Sequence, residues 1–285
     1  MSKSLFIRLP APIRWTLFAL YVIGFVAGPL WVLWGQSGFM LGSALGILFL
    51  AGIWWDSDRR ILARMHARPL SPAEASVLFS MAGEYCRRLQ LPTPNIYVIE
   101  DPSLNVATVA VSRRKSYLVV TRGLLDTVSR GCLSAAVARA VATLWKSDCF
   151  GDAWLSQFLA AFQRLVQPKH VEDSRRAVVP FFSFLQQAFF YPLMWFPAVV
   201  LRKSWNDMEL DTKCARWTGH RWELAELLRW IETYREKLPL RTSLSVQHLF
   251  LVRPPNPNPI ARVLFPELPH SHRIRNLNQM LQVAG

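Results

Sequence analysis

The sequence predicts an α+β protein, an N-terminal transmembrane helical hairpin followed by a mainly helical domain with a small β-sheet. Three observations carry this prediction. Two long uncharged stretches open the chain, apolar residues at helical spacing dominate the remainder, and two short runs rich in β-branched and aromatic residues stand between the helical segments. At 285 residues the chain is long enough for one large domain or two modest ones. Its 52% hydrophobic and 18% charged residues exclude a disordered polycation, in spite of a net charge of +14. Twelve Trp and seventeen Phe point to a membrane interface, where amphipathic rings collect.

Residues 1–14 read as a cytoplasmic N-terminal segment and residues 15–55 as the transmembrane hairpin. The first uncharged run, 15–34, has 20 residues, enough at ~1.5 Å per residue to span the ~30 Å hydrocarbon core. Gly35, Gln36 and Ser37 form the turn, and 38–55 returns with Trp54 and Trp55 at the interfacial level. Lys3, Arg8 and Arg14 precede the hairpin and Arg59, Arg60, Arg64 and Arg68 follow it, while the turn carries no charge. The positive-inside rule therefore puts both ends in the cytoplasm. Residues 56–70 read as a basic juxtamembrane linker that meets anionic lipid.

The cytoplasmic domain, 71–285, is expected to begin with a helix over 71–90, started by Ser71-Pro72-Ala73-Glu74 as a capping box around a proline. Strands are expected at 95–100 and 116–121, joined by a solvated turn at Ser112-Arg113-Arg114-Lys115. The alternative for that turn is contact with phosphate, lipid headgroups or an acidic partner. Helical spacing returns at Leu133, Val137, Val141 and Leu144, and at Leu224, Leu227, Leu228, Ile231 and Leu238. Residues 177–201 lack formal charge but contain Pro180, Pro192 and Pro197, so they read as an apolar insertion that dips into the bilayer or covers the domain, with the short run 154–166 as its only candidate partner. Residues 253–259 form an extended proline-rich loop. The four cysteines lie far apart without a CxxC pair and read as small buried thiols.

The stretch Pro102-x-x-Asn105-x-Ala107-Thr108, then Leu118-Val-Val-Thr-Arg-Gly-Leu-Leu-Asp126, then Leu133-Ser-Ala-Ala-Val-Ala138 and Asp148 resembles the HtpX-like and CAAX-prenyl-protease-like membrane zinc metallopeptidases. The resemblance implies a gluzincin-like metallopeptidase domain, a His-Glu-x-x-His helix, a third zinc ligand in a Glu-x-x-x-Asp context and a bacterial-type inner (plasma) membrane location. Asn105, Gly123, Asp148, Asp211 and Arg273 match family positions. Met208-Glu209-Leu210-Asp211 falls where the third-ligand helix belongs, with Glu209 as the remnant metal-ligand position.

Laid on this pattern, Arg139 and Thr143 stand where the two zinc-binding histidines belong, and Ala140 where the catalytic glutamate belongs. The chemistry needs histidines at i and i+4 to hold Zn²⁺ and a carboxylate to take a proton from bound water. Arg139 is a permanent cation, Thr143 is a poor ligand and Ala140 accepts no proton. The expectation is therefore no metal, zinc being lost, with Arg139 and Glu209 ion-paired across the vacant position. The six histidines include no i, i+4 pair, so only His270-x-His272 offers an alternative metal site. Cys132 and Cys149 have no histidine nearby in sequence to activate them as nucleophiles.

The resulting expectation is a catalytically inactive metallopeptidase homologue that binds membrane lipid and a protein partner, as adaptor, scaffold or regulator in a membrane complex. Its cleft or edge strand would receive an extended polypeptide. The alternatives are an active zinc metalloendopeptidase with non-standard ligands and a membrane-tethered basic binder of nucleic acid or acidic protein. No nucleic-acid module is visible, and lipid-facing charge accounts for much of the +14.

Overall fold

The computed structural model describes residues 11–146, 149–166, 207–255 and 270–279. The described chain is mostly helical with one small sheet, and it divides into two compact units. The expected insertion at 177–201, Asp148, and residues 256–259 of the expected proline-rich loop lie outside the described residues.

The first unit contains residues up to Ser57 together with the segment from Trp154. Its main element is α1 (Ala11–Trp54), one long apolar helical run that is long and apolar enough to cross a membrane. The run is interrupted at Gly35, whose φ of 61° and ψ of −138° leave the helical region. A left-handed φ costs glycine nothing and other residues about 1 kcal/mol or more, so Gly35 is where the chain can break direction. Beyond it the two halves approach each other. A β-carbon on Gly42 would stand 2.5 Å from Ala27 Cα, one on Gly46 would stand 2.9 Å from Ile23 Cα, and one on Gly38 would collide with the Leu30 carbonyl. Three glycines at four-residue intervals thus line one helix face against the other half. Trp31, Val32, Leu33, Met40, Leu48 and Trp54 are exposed on this unit, an apolar surface of the kind that water does not favour.

Residues 154–166, the candidate partner for the insertion, continue a helix, α6 (Cys149–Val166). From Trp154 onward this helix belongs to the first unit. Trp154 stacks on Trp15 at 6.4 Å and contacts Phe18, which meets Phe158 edge-on at 5.4 Å. Gln157 Nε2 donates to the Ser57 carbonyl at 2.8 Å.

The second unit spans Asp58–Ala153 and Trp205–Gly285. The stretch read as a linker is structured: α2 (Ser57–Arg64) and β1 (Ala67–Pro69) occupy it, and β1 is the first strand of the sheet. The sheet continues with β2 (Asn95–Ile99), β3 (Val106–Ala110) and β4 (Ser116–Thr121), in the order β1-β2-β4-β3. β2 and β4 are parallel, whereas the β1–β2 and β3–β4 pairs are antiparallel. The helix expected over 71–90 is shorter, α3 (Ser76–Arg88). Glu74 does not close a capping box with a helix start at Ser71. It is drawn to Arg68, whose Nη2 lies 2.8 Å from Glu74 Oε2, while the Ser71 N–H reaches Glu74 Oε1 at 3.3 Å.

Then follow α4 (Arg122–Thr127) and α5 (Arg130–Lys146). After the undescribed stretch come α7 (Asp207–Thr218), α8 (Arg221–Arg235), a 3-10 turn at Gln247–Leu249, and α9 (His270–Gln279). α5 is the central element and contacts α3, α7, α8 and β3. Its alanines at 135, 136, 138, 140 and 142 are buried, and their small side chains let helices approach it on several sides. The sheet alternates as a pleat must. Val106, Leu118 and Val120 join the α3–α5–α8 core, while Ala107, Val109 and Val119 face Ile61, Met65, Leu249 and Phe250. Tyr85 Oη, Ser134 Oγ and His220 Nε2 lie within 2.7–3.3 Å of one another and tie α3, α5 and the start of α8 together.

Candidate functional site

The i, i+4 spacing of Arg139 and Thr143 sets both on one face of α5, and the guanidinium Nη1 donates to Thr143 Oγ1. Thr143 Oγ1 in turn donates to the Arg139 carbonyl at 3.0 Å. Opposite this face stands α7. Arg139 Nε donates to Asp211 Oδ1 at 2.5 Å, and Nη2 reaches Asp207 Oδ1 at 3.2 Å. The expected pairing of Arg139 with Glu209 does not occur. Glu209 forms a half-exposed ion pair with Lys213 at 2.9 Å, one turn along its own helix. The reason is helical period: at ~100° per residue, Asp207 and Asp211 share a face, and Glu209 points about 200° away.

Asp211 is fully buried and accepts a second arginine. Arg273 Nε donates to Oδ2 at 2.7 Å and Nη2 to Oδ1 at 3.0 Å, the bidentate geometry that suits a guanidinium. Arg139 and Arg273 are themselves 3% and 2% exposed. Two buried cations thus share one buried carboxylate, and Asp207, its side chain 48% exposed, supplies the second negative charge at the solvent side. Such a cluster persists only because nearly every donor is paired, since an uncompensated buried charge costs several kcal/mol.

Arg273 also links the cluster to the sheet, because its Nη1 donates to the Leu251 carbonyl at 3.1 Å. The segment around Leu251 runs along the outer edge of β3. Phe250 bridges Ala107, and the Leu251 N–H donates to the Val106 carbonyl at 2.8 Å. Asn105 fixes the end of this segment, its Nδ2 donating to the Val252 carbonyl at 2.6 Å and its Oδ1 accepting from Val106 N–H at 2.9 Å. The β3 edge expected to receive an extended polypeptide is therefore occupied over these residues by the chain's own Phe250–Val252.

Gly123 is required by contact. A β-carbon there would collide with the Pro102 carbonyl, while its N–H bonds the Asp101 carbonyl at 3.0 Å. Ala140 is buried in the core beside α5's other alanines.

His270 and His272, the alternative metal pair, part company at the start of α9. His270 is buried with Nε2 3.3 Å from Arg235 Nη1, and His272 is exposed. Among the described residues no group of three His, Cys, Asp or Glu could hold a metal ion. Cys86, Cys132 and Cys214 are buried free thiols. Burial pushes the Cys214 thiol up to about 12 and that of Cys86 up to about 11, which makes both poor nucleophiles.

Sequence reasoning missed Asp207 as a member of the cluster. Its i, i+4 relation to Asp211 was the available signal.

No protein-family model matches the chain. Curated relatives do. A protein of Pelotomaculum thermopropionicum named "Protease HtpX homolog" is 24% identical over 254 residues, covering 86% of this chain and 90% of the relative. One of the same name from Syntrophobacter fumaroxidans is 23% identical over 259 residues, covering 86% and 91%. A third, from Nostoc punctiforme, is 23% identical and covers 78% and 79%. The chain is similar to proteins named HtpX homologues. The match runs over most of both chains, so the likeness extends well beyond a single motif. In this chain Arg139 and Arg273 take the oxygens of Asp211, and among the described residues no histidine joins them.

Proposed function

We propose that this HtpX-like chain is a membrane-anchored, catalytically inactive metallopeptidase homologue that works as a protein-binding adaptor, scaffold or regulator in a membrane complex. One observation carries the reading: the Arg139 guanidinium lies against Thr143, Asp207 and Asp211, with its Nε 2.5 Å from Asp211 Oδ1. Arg139, Ala140 and Thr143 are the degenerate positions of the His-Glu-x-x-His motif. Counting back four residues from Asp211 in the Glu-x-x-x-Asp spacing gives Asp207 as the third-ligand position in place of Glu209. The arginine cation then stands where a zinc dication would stand, and the carboxylates that would attract the metal neutralise the arginine instead. These residues do not fit zinc, and no catalytic step is assigned through it.

The membrane part of the reading rests on the apolar α1 run, its reversal at Gly35 and the glycine contacts between its halves. Two antiparallel spans of this kind, flanked by Arg14 on one side and by Arg59, Arg60 and Arg64 on the other, give a multi-pass protein with the N-terminus and the gluzincin-like domain in the cytoplasm. Partner binding by strand addition would first have to displace Phe250–Val252 from β3. The partner therefore meets another surface, or binding and release of that segment are coupled.

The test is affinity purification of the full chain from detergent-solubilised membranes, with metal analysis and casein proteolysis on the same sample. A stoichiometric membrane partner, no zinc and no chelator-sensitive cleavage are expected. Proteolysis abolished by chelator would overturn the reading in favour of a peptidase with non-standard ligands.

A further inference from the structure

The basic turn Ser112-Arg113-Arg114-Lys115 plays no part in the arginine cluster. It joins β3 to β4, with the Val111 N–H on the Lys115 carbonyl at 3.0 Å and the Lys115 N–H on Ser112 Oγ at 3.0 Å. This hairpin turn holds Arg113, Arg114 and Lys115 exposed. Elsewhere in this unit the arginines Arg68, Arg88, Arg122, Arg139 and Arg273 all meet carboxylates. Arg113 and Arg114 have no ion-pair partner among the described residues.

Beside the turn lies a groove of about 240 Å³. Arg113 forms part of its wall, and the apolar side is made by Leu89, Leu91, Pro92, Leu144 and Trp145. Among the described residues no acidic side chain lines it. Trp145 is 46% exposed near the end of α5, although residues 135–143 of that helix are buried. The last turn of α3, which leads into Leu89, adds Arg87 and Arg88. An apolar recess with a half-exposed indole, Arg113 in its wall and Arg114 next in the turn combines the two chemistries that collect at a bilayer surface. Tryptophan sits at headgroup level, and arginine meets lipid phosphate.

We propose that this patch is a binding site for anionic phospholipid, in which Arg113 and Arg114 take the headgroup phosphate and Trp145 with the Leu89–Pro92 corner takes the adjoining apolar region. An acidic peptide would satisfy the same arginines but would leave the indole and the apolar wall unused; a lipid engages both. A chain with a 43-residue apolar helix also has a bilayer constantly within reach. The site is independent of whether the Arg139 cluster has lost zinc.

The test uses the full chain in mild detergent, titrated with phosphatidylglycerol and, separately, with phosphatidylcholine of the same acyl length, bound lipid being counted by native mass spectrometry. Wild type should bind phosphatidylglycerol in preference. The double variant Arg113→Gln, Arg114→Gln should lose about 30-fold in affinity for one phosphatidylglycerol, two basic contacts at a surface being lost. Arg113→Lys with Arg114→Lys should retain it, and Trp145→Ala should weaken binding of both lipids. Thermal unfolding of each variant checks that the exposed substitutions leave the fold intact. Equal binding of phosphatidylglycerol by wild type and the glutamine variant would overturn the proposal. So would a Glu-rich decapeptide that binds wild type, fails with the glutamine variant and displaces no lipid, since the patch would then serve an acidic protein.

Discussion

Arg139 Nε and Asp211 Oδ1, 72 residues apart in sequence, meet at 2.5 Å with both side chains essentially removed from solvent. The pair joins α5 to α7, and through Arg273 it joins both to α9 and to the segment that covers β3. A structural role of this kind has measurable consequences.

Asp211→Asn should be among the most damaging substitutions in the second unit. It leaves the buried Arg273 without a counter-charge and Arg139 with only the half-exposed Asp207, a loss of about 3–5 kcal/mol. Glu209→Ala should cost only about 0.3–0.5 kcal/mol, as expected for an exposed i, i+4 pair. Chemical denaturation of the full chain in detergent compares the two. Equal effects would mean that the cluster does not carry the packing of α5 on α7.

Asn105→Ala should release the Phe250–Val252 segment. Three buried bonds to Val252 and Val106 are lost, worth about 1–3 kcal/mol where a buried carbonyl is left unpaired. Hydrogen exchange at the Leu251 amide, which bonds Val106 in the native chain, should accelerate. An unchanged rate would show that the bridge to Ala107 holds the segment alone.

Gly123→Ala should destabilise through the collision with the Pro102 carbonyl, a backbone atom that cannot rotate away. Overpacking of this kind costs about 1–3 kcal/mol. Gly83→Ala, where no atom lies within 4 Å of the new β-carbon, serves as the control, and calorimetry should separate the two midpoints clearly.

Acid should weaken the network around β1. The Arg68 guanidinium holds the Glu74 carboxyl down to about 2, and Arg122 lowers that of Glu100. A carboxyl depressed in the folded state contributes stability above its unfolded value of about 4.3 and loses it as pH falls through the folded one. Stability should therefore decline from about pH 4.5 toward pH 2. Arg68→Ala should flatten that decline, and 1 M salt should blunt it in wild type, because these groups are exposed and screened. A decline unaffected by both changes would assign it to other carboxylates.

The long apolar helix was legible because its two uncharged runs stand out in the sequence, and Gly35 marks the break between them. Val106–Ala110 was not legible as a strand. It is buried at every position and so lacks the alternation that identifies a half-exposed strand. The start of α3 was misplaced because Ser71–Glu74 closes an isolated turn, Glu74 bonding both the Ser71 N–H and Arg68, and the helix begins only at Ser76. The site was legible in part. The resemblance drew attention to Arg139 and Thr143, but choosing between Glu209 and Asp207 required the helical phase of α7 relative to α5, which becomes definite only when the two helices pack.

The most direct test of the central claim is the zinc content of the purified full chain, measured by mass spectrometry beside the triple variant Arg139→His, Ala140→Glu, Thr143→His. The account predicts far less than one zinc per wild-type chain and a gain in the variant. One zinc per wild-type chain, removable by chelator and lost with Asp207→Ala, would contradict it.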